Sequence, residues 1–250
     1  MPVPLEERVN RFVAWLFREH NRIIPRGPKV INDSLLGNQY FSKHEVAVID
    51  CPLLQRLKRI KQTGLVYHVF PSATHSRFEH CLGATTVAER CFHAISDRAR
   101  VELGKRVADE DRVTGDLAHL RMAALLHDVG HGLCSHASEQ IYALLSDLRE
   151  FKRKPDFARK APGEILSYLI VKSSTFVNWF HDCVNSRCGG GIKLDTVAEM
   201  ILGKHPEKDK HFLAQIVSSP YDADKLDYIA RDSYYCGLAL TVDLPRFYSM

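Results

Sequence analysis

The sequence predicts an all-α bundle carrying one short β-hairpin near its N-terminus. Three observations lead there. Apolar residues recur at helical spacing through most of the 250 residues. Pro and Gly punctuate the chain at intervals that suit short connections between helices. Only one segment reads as strand. A chain of this length and ordinary composition can bury a substantial core, as one large domain or two small ones.

Taken in order, residues 5–19 place Val9, Phe12, Val13 and Leu16 on one stripe, the pattern of a helix packed on a core. "VINDSLLGNQYFS" (30–42) predicts a short hairpin or loop with an Asn-Asp turn. Helices are expected near 44–50, 52–62, 77–103, 116–128, 136–149, 162–172, 174–185, 195–203, 209–218 and 222–236. Gly64 and Pro71 mark the loop before the third of these. The charged, Pro-interrupted stretch 149–163 reads as an exposed connection, and "CGGG" (188–191) as a flexible joint. A basic run of this kind is ordinarily a solvated face, with contact to a polyanion as the alternative. No internal repeat or low-complexity segment is visible.

The net charge of +4 favours a polyanionic ligand only weakly. Seven cysteines without a CxxC pair, in a chain too large for a disulfide scaffold, suit the reduced thiols of a cytosolic protein. His181, Asp182, Cys183 and Cys188 offer zinc donors, but their spacing is not a recognised one. The N-terminal residues lack the apolar centre of a signal peptide, and no apolar run is long enough to span a membrane, so no membrane partner is expected.

Three polar clusters carry chemistry. In "ALLHDVGHGLCSH" (124–136), His127 and Asp128 offer imidazole nitrogen and carboxylate oxygen, donors that suit Mn, Fe, Co or Zn. A hydrogen-bonded core histidine is the competing explanation. His131 and His136 follow, and ordinary cores avoid such crowding whereas catalytic sites gather it. In "SATHSRFEHCLG" (72–83), Arg77 lies three residues before His80 on one side of a helix, as a phosphate and a metal side by side would require. The alternative is a surface Arg77–Glu79 pair at a capped helix start. In "YDADKLDYIARDS" (221–233), Asp224, Tyr228 and Asp232 share a face, while Leu226, Ile229 and Ala230 interleave with Asp227, Lys225 and Arg231. Part of this charged helix is therefore expected to be half-buried.

His80, then His127-Asp128, then Asp224 resembles the H…HD…D pattern of the HD phosphohydrolase superfamily. With "VINDSLLG", "LLQRLKRIKQTG", "VFPSATHSRFEHCLG", "LLHDVGHGLCSH" and "DADKLDYIARD" in order, residues 30–247 are similar to the SAM-and-HD-domain deoxynucleoside triphosphohydrolases of animals and their bacterial relatives, including the dGTPases. The resemblance implies an HD-domain helical bundle over 30–250, preceded by an N-terminal helical extension (1–29). It implies one divalent ion per site (Mn, Fe, Mg, Co or Zn) held by His80, His127, Asp128 and Asp224. Arg77 would hold phosphate, His131 and His136 would sit over the scissile phosphate, and Glu139 would support the catalytic histidine. Lys225, Tyr228 and Asp232 would contact phosphate or sugar, and Gln62 the 3′-hydroxyl.

Two departures stand out. Gly163-Glu164 occupies the place of a histidine and glutamate, so an altered proton-transfer network is expected. Thr63 stands where an apolar residue packs on deoxyribose, which leaves discrimination against ribonucleotides open. Relatives also continue past "LPRFYSM" with helices that complete the nucleotide pocket and the oligomer.

The expected activity is cleavage of deoxynucleoside triphosphates to deoxynucleoside and triphosphate by a cytoplasmic homo-oligomer (nuclear in a eukaryote), with defence against phage as an inferred role. Two readings compete: an HD-type nuclease or phosphodiesterase binding single-stranded nucleic acid, and a non-catalytic nucleotide-sensing module.

Overall fold

A computed structural model describes residues 3–20, 24–240 and 242–249, without the side chain of His136. The described helices are α1 (Leu5–Phe17), α2 (Lys43–Ile49), α3 (Pro52–Gln55), α4 (Arg77–Leu103), α5 (Asp116–Leu126), α6 (His136–Tyr142), α7 (Ser146–Arg153), α8 (Pro162–Val171), α9 (Ser174–Phe180), α10 (Leu194–Ile201), α11 (His211–Val217), α12 (Ala223–Cys236) and α13 (Leu244–Ser249). The strands β1 (Lys29–Asp33) and β2 (Gly37–Phe41) form an antiparallel hairpin in register from Lys29 opposite Phe41 to Asp33 opposite Gly37. The all-α reading holds. No described helix is long and apolar enough to cross a membrane.

Helix α5 is the axis of the bundle. Its residues Leu117 to Leu126 are buried apart from His119, because α4, α10 and α11 pack around it. Helix α12 also packs along α4. Ser76 and Glu79 cap the start of α4 reciprocally, so its first turn is fixed where Arg77 and His80 project. Helix α1 buries Leu5, Val9 and Val13 and packs on α8 and α9, so the N-terminal helix shares the core of the bundle.

The expected Asn-Asp turn is present in its chemistry. Asp33 Oδ1 accepts from the N–H groups of Leu35 (2.9 Å) and Leu36 (2.8 Å), and Asn32 donates to the Asn38 side chain (2.9 Å).

Three expected elements differ. The single helix over 52–62 is α3 followed by a 3₁₀ turn, Arg56–Arg59, and Ile60 is extended because its carbonyl accepts the N–H of Arg77 (2.9 Å), which the start of α4 leaves without a helical partner. The helix over 136–149 is broken at 143–145 into α6 and α7. The stretch 149–163 is not simply an exposed connection. Phe151 and Phe157 are buried, pack edge to face at 5.4 Å and reach Tyr168, so two aromatic side chains fold a charged segment back onto α8.

Candidate metal centre

Three elements converge on one point. The first turn of α4 supplies His80, the end of α5 supplies His127 and Asp128, and the first turn of α12 supplies Asp224. His80 Nε2 lies 3.2 Å from His127 Nε2 and 3.0 Å from Asp224 Oδ1. His127 Nε2 is 3.6 Å from the same oxygen. Among the described residues, His80, His127 and Asp224 are the group whose donor atoms all lie within 4.8 Å of one another, close enough to hold a metal ion. His181, Asp182, Cys183 and Cys188 do not form such a group.

The other ring nitrogens are already used. His80 Nδ1 bonds Asp227 Oδ2 (2.8 Å), and His127 Nδ1 bonds the Ala124 carbonyl (2.7 Å). A carbonyl only accepts, so Nδ1 of His127 carries the proton and Nε2 is left as the binding atom. Two N–H groups cannot face each other at this separation. The pair calls for one shared positive charge, a proton or a cation. Imidazole nitrogens beside a carboxylate are the donor set of a divalent ion, and the residues fit one.

Asp128 stands at the edge of this cluster, 3.6 Å from His127 Nε2 and 3.7 Å from His80 Nε2. Its carboxylate is held by Arg77 and by His131 Nε2 (3.0 Å). Burial alone would raise the carboxyl pKa, but Arg77 and His131 hold it well below the usual range. Asp224 is likewise depressed against its burial, by His127 and His80. Burial would lower His80, yet Asp224 and Asp227 push it up to about 10.

These shifts predict how the metal-free protein responds to pH. His80 holds its proton up to about 10 when folded but only to 6.5 when unfolded, so its contribution to stability is complete below 6.5 and lost as pH rises toward 10. The depressed Asp128 and Asp224 contribute above 3.8 and lose that contribution as pH falls further. With metal chelated, the melting temperature is expected to be highest between these limits and to decline toward pH 10. A flat profile over that upper range would contradict the assignment.

His127 and Asp224 of the cluster, with Asp128, line a cavity of about 550 Å³. Gln62, Arg77, Lys225, Tyr228 and Asp232, the substrate residues named from the sequence, all line it, together with Thr63, His131 and Glu139. Arg77 is buried and paired with Asp128, not with Glu79 at the surface. Its Nε donates to Ser135 Oγ (2.8 Å). Lys225 Nζ is anchored at 2.8 Å by both Asp222 Oδ2 and the Ser219 carbonyl. Asp232 bonds His75 Nε2 (2.7 Å). Gln62 is buried, and its Oε1 has no hydrogen-bond partner among the described residues. His131 lies between Asp128 and Glu139, whose Oε1 is 3.8 Å from its Nδ1. The side chain of His136 lies outside the described residues.

Sequence reasoning passed over several residues that build this site. Asp227 was visible only as one more charge on α12, yet it is completely buried against His80. Its signal was the apolar interleaving of that helix. Arg56 donates to the carbonyls of His131 (2.9 Å) and Val129, pinning the loop after α5. Ser135 has φ 53°, a rare backbone for a non-glycine residue, and is held by Arg77 and by donating to the Gln62 carbonyl (2.8 Å). Nothing in the sequence marks that conformation.

Comparison with known proteins adds to this geometry. The profile of the HD domain family matches residues 77–232. The chain is similar to the deoxynucleoside triphosphate triphosphohydrolase SAMHD1 homolog of Dictyostelium discoideum, 30% identical over 225 residues covering 88% of this chain and 39% of the relative. It is also similar to the SAMHD1 triphosphohydrolase of Bos taurus, 30% identical over 88% of this chain and 37% of the relative, and to the uncharacterized protein MJ1154 of Methanocaldococcus jannaschii, 30% identical over 87% and 36%. The chain thus spans well under half the length of these relatives. Among solved structures it resembles a hypothetical protein from Aquifex aeolicus with a TM-score of 0.64 and 26% identity, over 89% of this chain and 50% of that one.

Proposed function

Since the chain belongs to the HD domain family of metal-dependent hydrolases, we propose that it cleaves deoxynucleoside triphosphates to deoxynucleoside and triphosphate. One observation carries this reading: His127 and Asp224, whose donor atoms meet His80 Nε2, line the same cavity as Arg77, Lys225, Tyr228, Asp232 and Gln62. The similarity to deoxynucleoside triphosphate triphosphohydrolases supports it.

In this reading His80, His127, Asp128 and Asp224 hold the divalent ion, which when bound neutralises phosphate charge and lowers the pKa of a water. The chain does the rest. Arg77, fixed by Asp128 and Ser135, presents a planar guanidinium to phosphate oxygens. Lys225 adds a second positive charge, held in place by Asp222. Gln62 brings a buried acceptor without a partner, which a sugar hydroxyl would satisfy. Tyr228 and Asp232 bound the sugar on the same wall. As water attacks the α-phosphorus and the bond to the 5′-oxygen breaks, the leaving oxygen needs a proton. His131, set between Asp128 and Glu139, delivers it, and the resemblance gives His136 a share in the same role.

The test uses metal-stripped protein reloaded in turn with Mn, Fe, Mg, Co or Zn and offered each dNTP, each NTP and a single-stranded oligonucleotide. Release of triphosphate from a dNTP is the expected result. No triphosphate with any metal, or mononucleotides from the oligonucleotide alone, would overturn the reading. The proposal includes a homo-oligomer, and a light-scattering mass of 28.4 kDa, that of one chain, would remove that part.

A further inference from the structure

Arg231 is a fully buried cation that the proposed chemistry does not use. Its Nε and Nη2 form a fork on Asp227 at 2.8 and 2.9 Å. Its Nη1 reaches Asp33 Oδ2 at 2.8 Å, across 198 residues of sequence. Asp227 Oδ2 in turn accepts from His80 Nδ1 at 2.8 Å. The other oxygen of Asp33 holds the turn amides of Leu35 and Leu36. A continuous run of charge-assisted bonds therefore joins the tip of the hairpin to a residue of the metal cluster.

The helices are built around this run. A Cβ at Gly83 would lie 2.1 Å from Asp227 Oδ1 and 2.2 Å from Arg231 Nη2, so α4 is bare where the fork crosses it. The charges also have a logic. Two carboxylates share one guanidinium, which leaves one negative charge over. That surplus keeps Asp227 a strong acceptor for the His80 Nδ1–H, fixes the ring with Nε2 toward the cluster, and makes Nε2 a better donor. Without Asp33, Arg231 would be offset by Asp227 alone, and the pull on the imidazole would weaken.

We propose that Asp33, in the hairpin turn, is a positioning residue for His80, acting through Arg231 and Asp227. The inference rests on the reading of His80 as a metal ligand. Asp33→Asn keeps an oxygen for the turn amides and removes the acceptor for Arg231, and Asp33→Ser serves as a second variant that also keeps a turn acceptor. Asp50→Asn is the control, because it breaks a second ion pair of the hairpin, Lys29–Asp50 (2.6 Å), which among the described residues makes no bond to Arg231, Asp227 or His80.

Each full-length variant is stripped of metal and titrated with manganese(II), and the imidazole nitrogens are followed by ¹⁵N spectra. Asp33→Asn is expected to bind manganese about tenfold more weakly, the lower end of the range for outer-shell partners, while Asp50→Asn binds like the parent. Combining Asp33→Asn with Asp227→Asn should cost no more than Asp227→Asn alone, since both act on one run of bonds. The His80 ring should be held as the Nδ1–H form in the parent and lose that preference in Asp33→Asn. Unchanged affinity in Asp33→Asn, or an equal loss in Asp50→Asn, overturns the proposal. If the parent binds none of Mn, Fe, Co or Zn, the metal reading fails on its own account. The ¹⁵N result still decides the relay, and a His80 ring indifferent to Asp33→Asn sinks it.

Discussion

His127→Ala is expected to lose metal and turnover together. Among the described residues, the ring supplies one of the two nitrogen donors of the cluster, and its Nε2 faces His80 Nε2 at 3.2 Å. Its Nδ1 is committed to the Ala124 carbonyl at the end of α5, so the ring is oriented by the helix that carries it. Truncation leaves His80, Asp128 and Asp224 around a gap. Losing a direct ligand should weaken binding by more than the roughly 10–100-fold typical of an outer-shell partner. Metal content after dialysis, read beside circular dichroism to establish that α5 is intact, checks this. A variant that keeps both its metal and its activity would remove His127 from the centre.

Gly163→Ala should separate the two functions: metal retained, turnover down by about 100-fold, the scale of a misplaced catalytic group. A Cβ on Gly163 would lie 2.6 Å from Glu139 Oε1 and 2.7 Å from His131 Nε2, closer than such atoms approach. Neither neighbour yields easily. Glu139 is tied to the N–H of Gly163 itself (3.0 Å). The backbone of His131 donates to the Asp128 carbonyl and accepts from Arg56, so the added methyl must displace the ring. Turnover and metal content of the same preparation decide the matter. Parent-like turnover would take the His131–Glu139 pair out of the mechanism. The glycine stands where the resemblance leads one to expect a histidine, and the space that histidine would need is filled by His131 and Glu139. What looks in the sequence like a missing group is a close approach between two that are present.

How much of this was legible beforehand follows from what each signal depends on. The helices and the hairpin could be read because they rest on local quantities such as the 3.6-residue period of α1 and the cap at the start of α4, and donor types gathered in short stretches marked His80, His127 and Asp224 as candidates; most of the cavity wall was legible only through the resemblance to the HD phosphohydrolases. Other features depend on what lies across the fold. An alternation of charged and apolar residues on α12 is the same pattern whether the charges meet water or meet Gly83, His80 and Asp33. Only packing shows that Asp227 and Arg231 are fully buried while Asp232 faces the cavity. Likewise a charged stretch at 149–163 reads as solvated until Phe151 is seen to pack on Phe157 and Phe157 on Tyr168.

The sequence by itself therefore determined the fold class, because helical period and punctuation are local, and it offered the candidate metal donors, which only the resemblance to the HD phosphohydrolases joined into one set. The tertiary structure alone decided the protonated nitrogen of His127, the neighbours of His131, and the joining of the hairpin to the metal cluster by an ion pair spanning 198 residues. Those depend on partners brought together only when the chain folds, and no local pattern encodes a partner so far away.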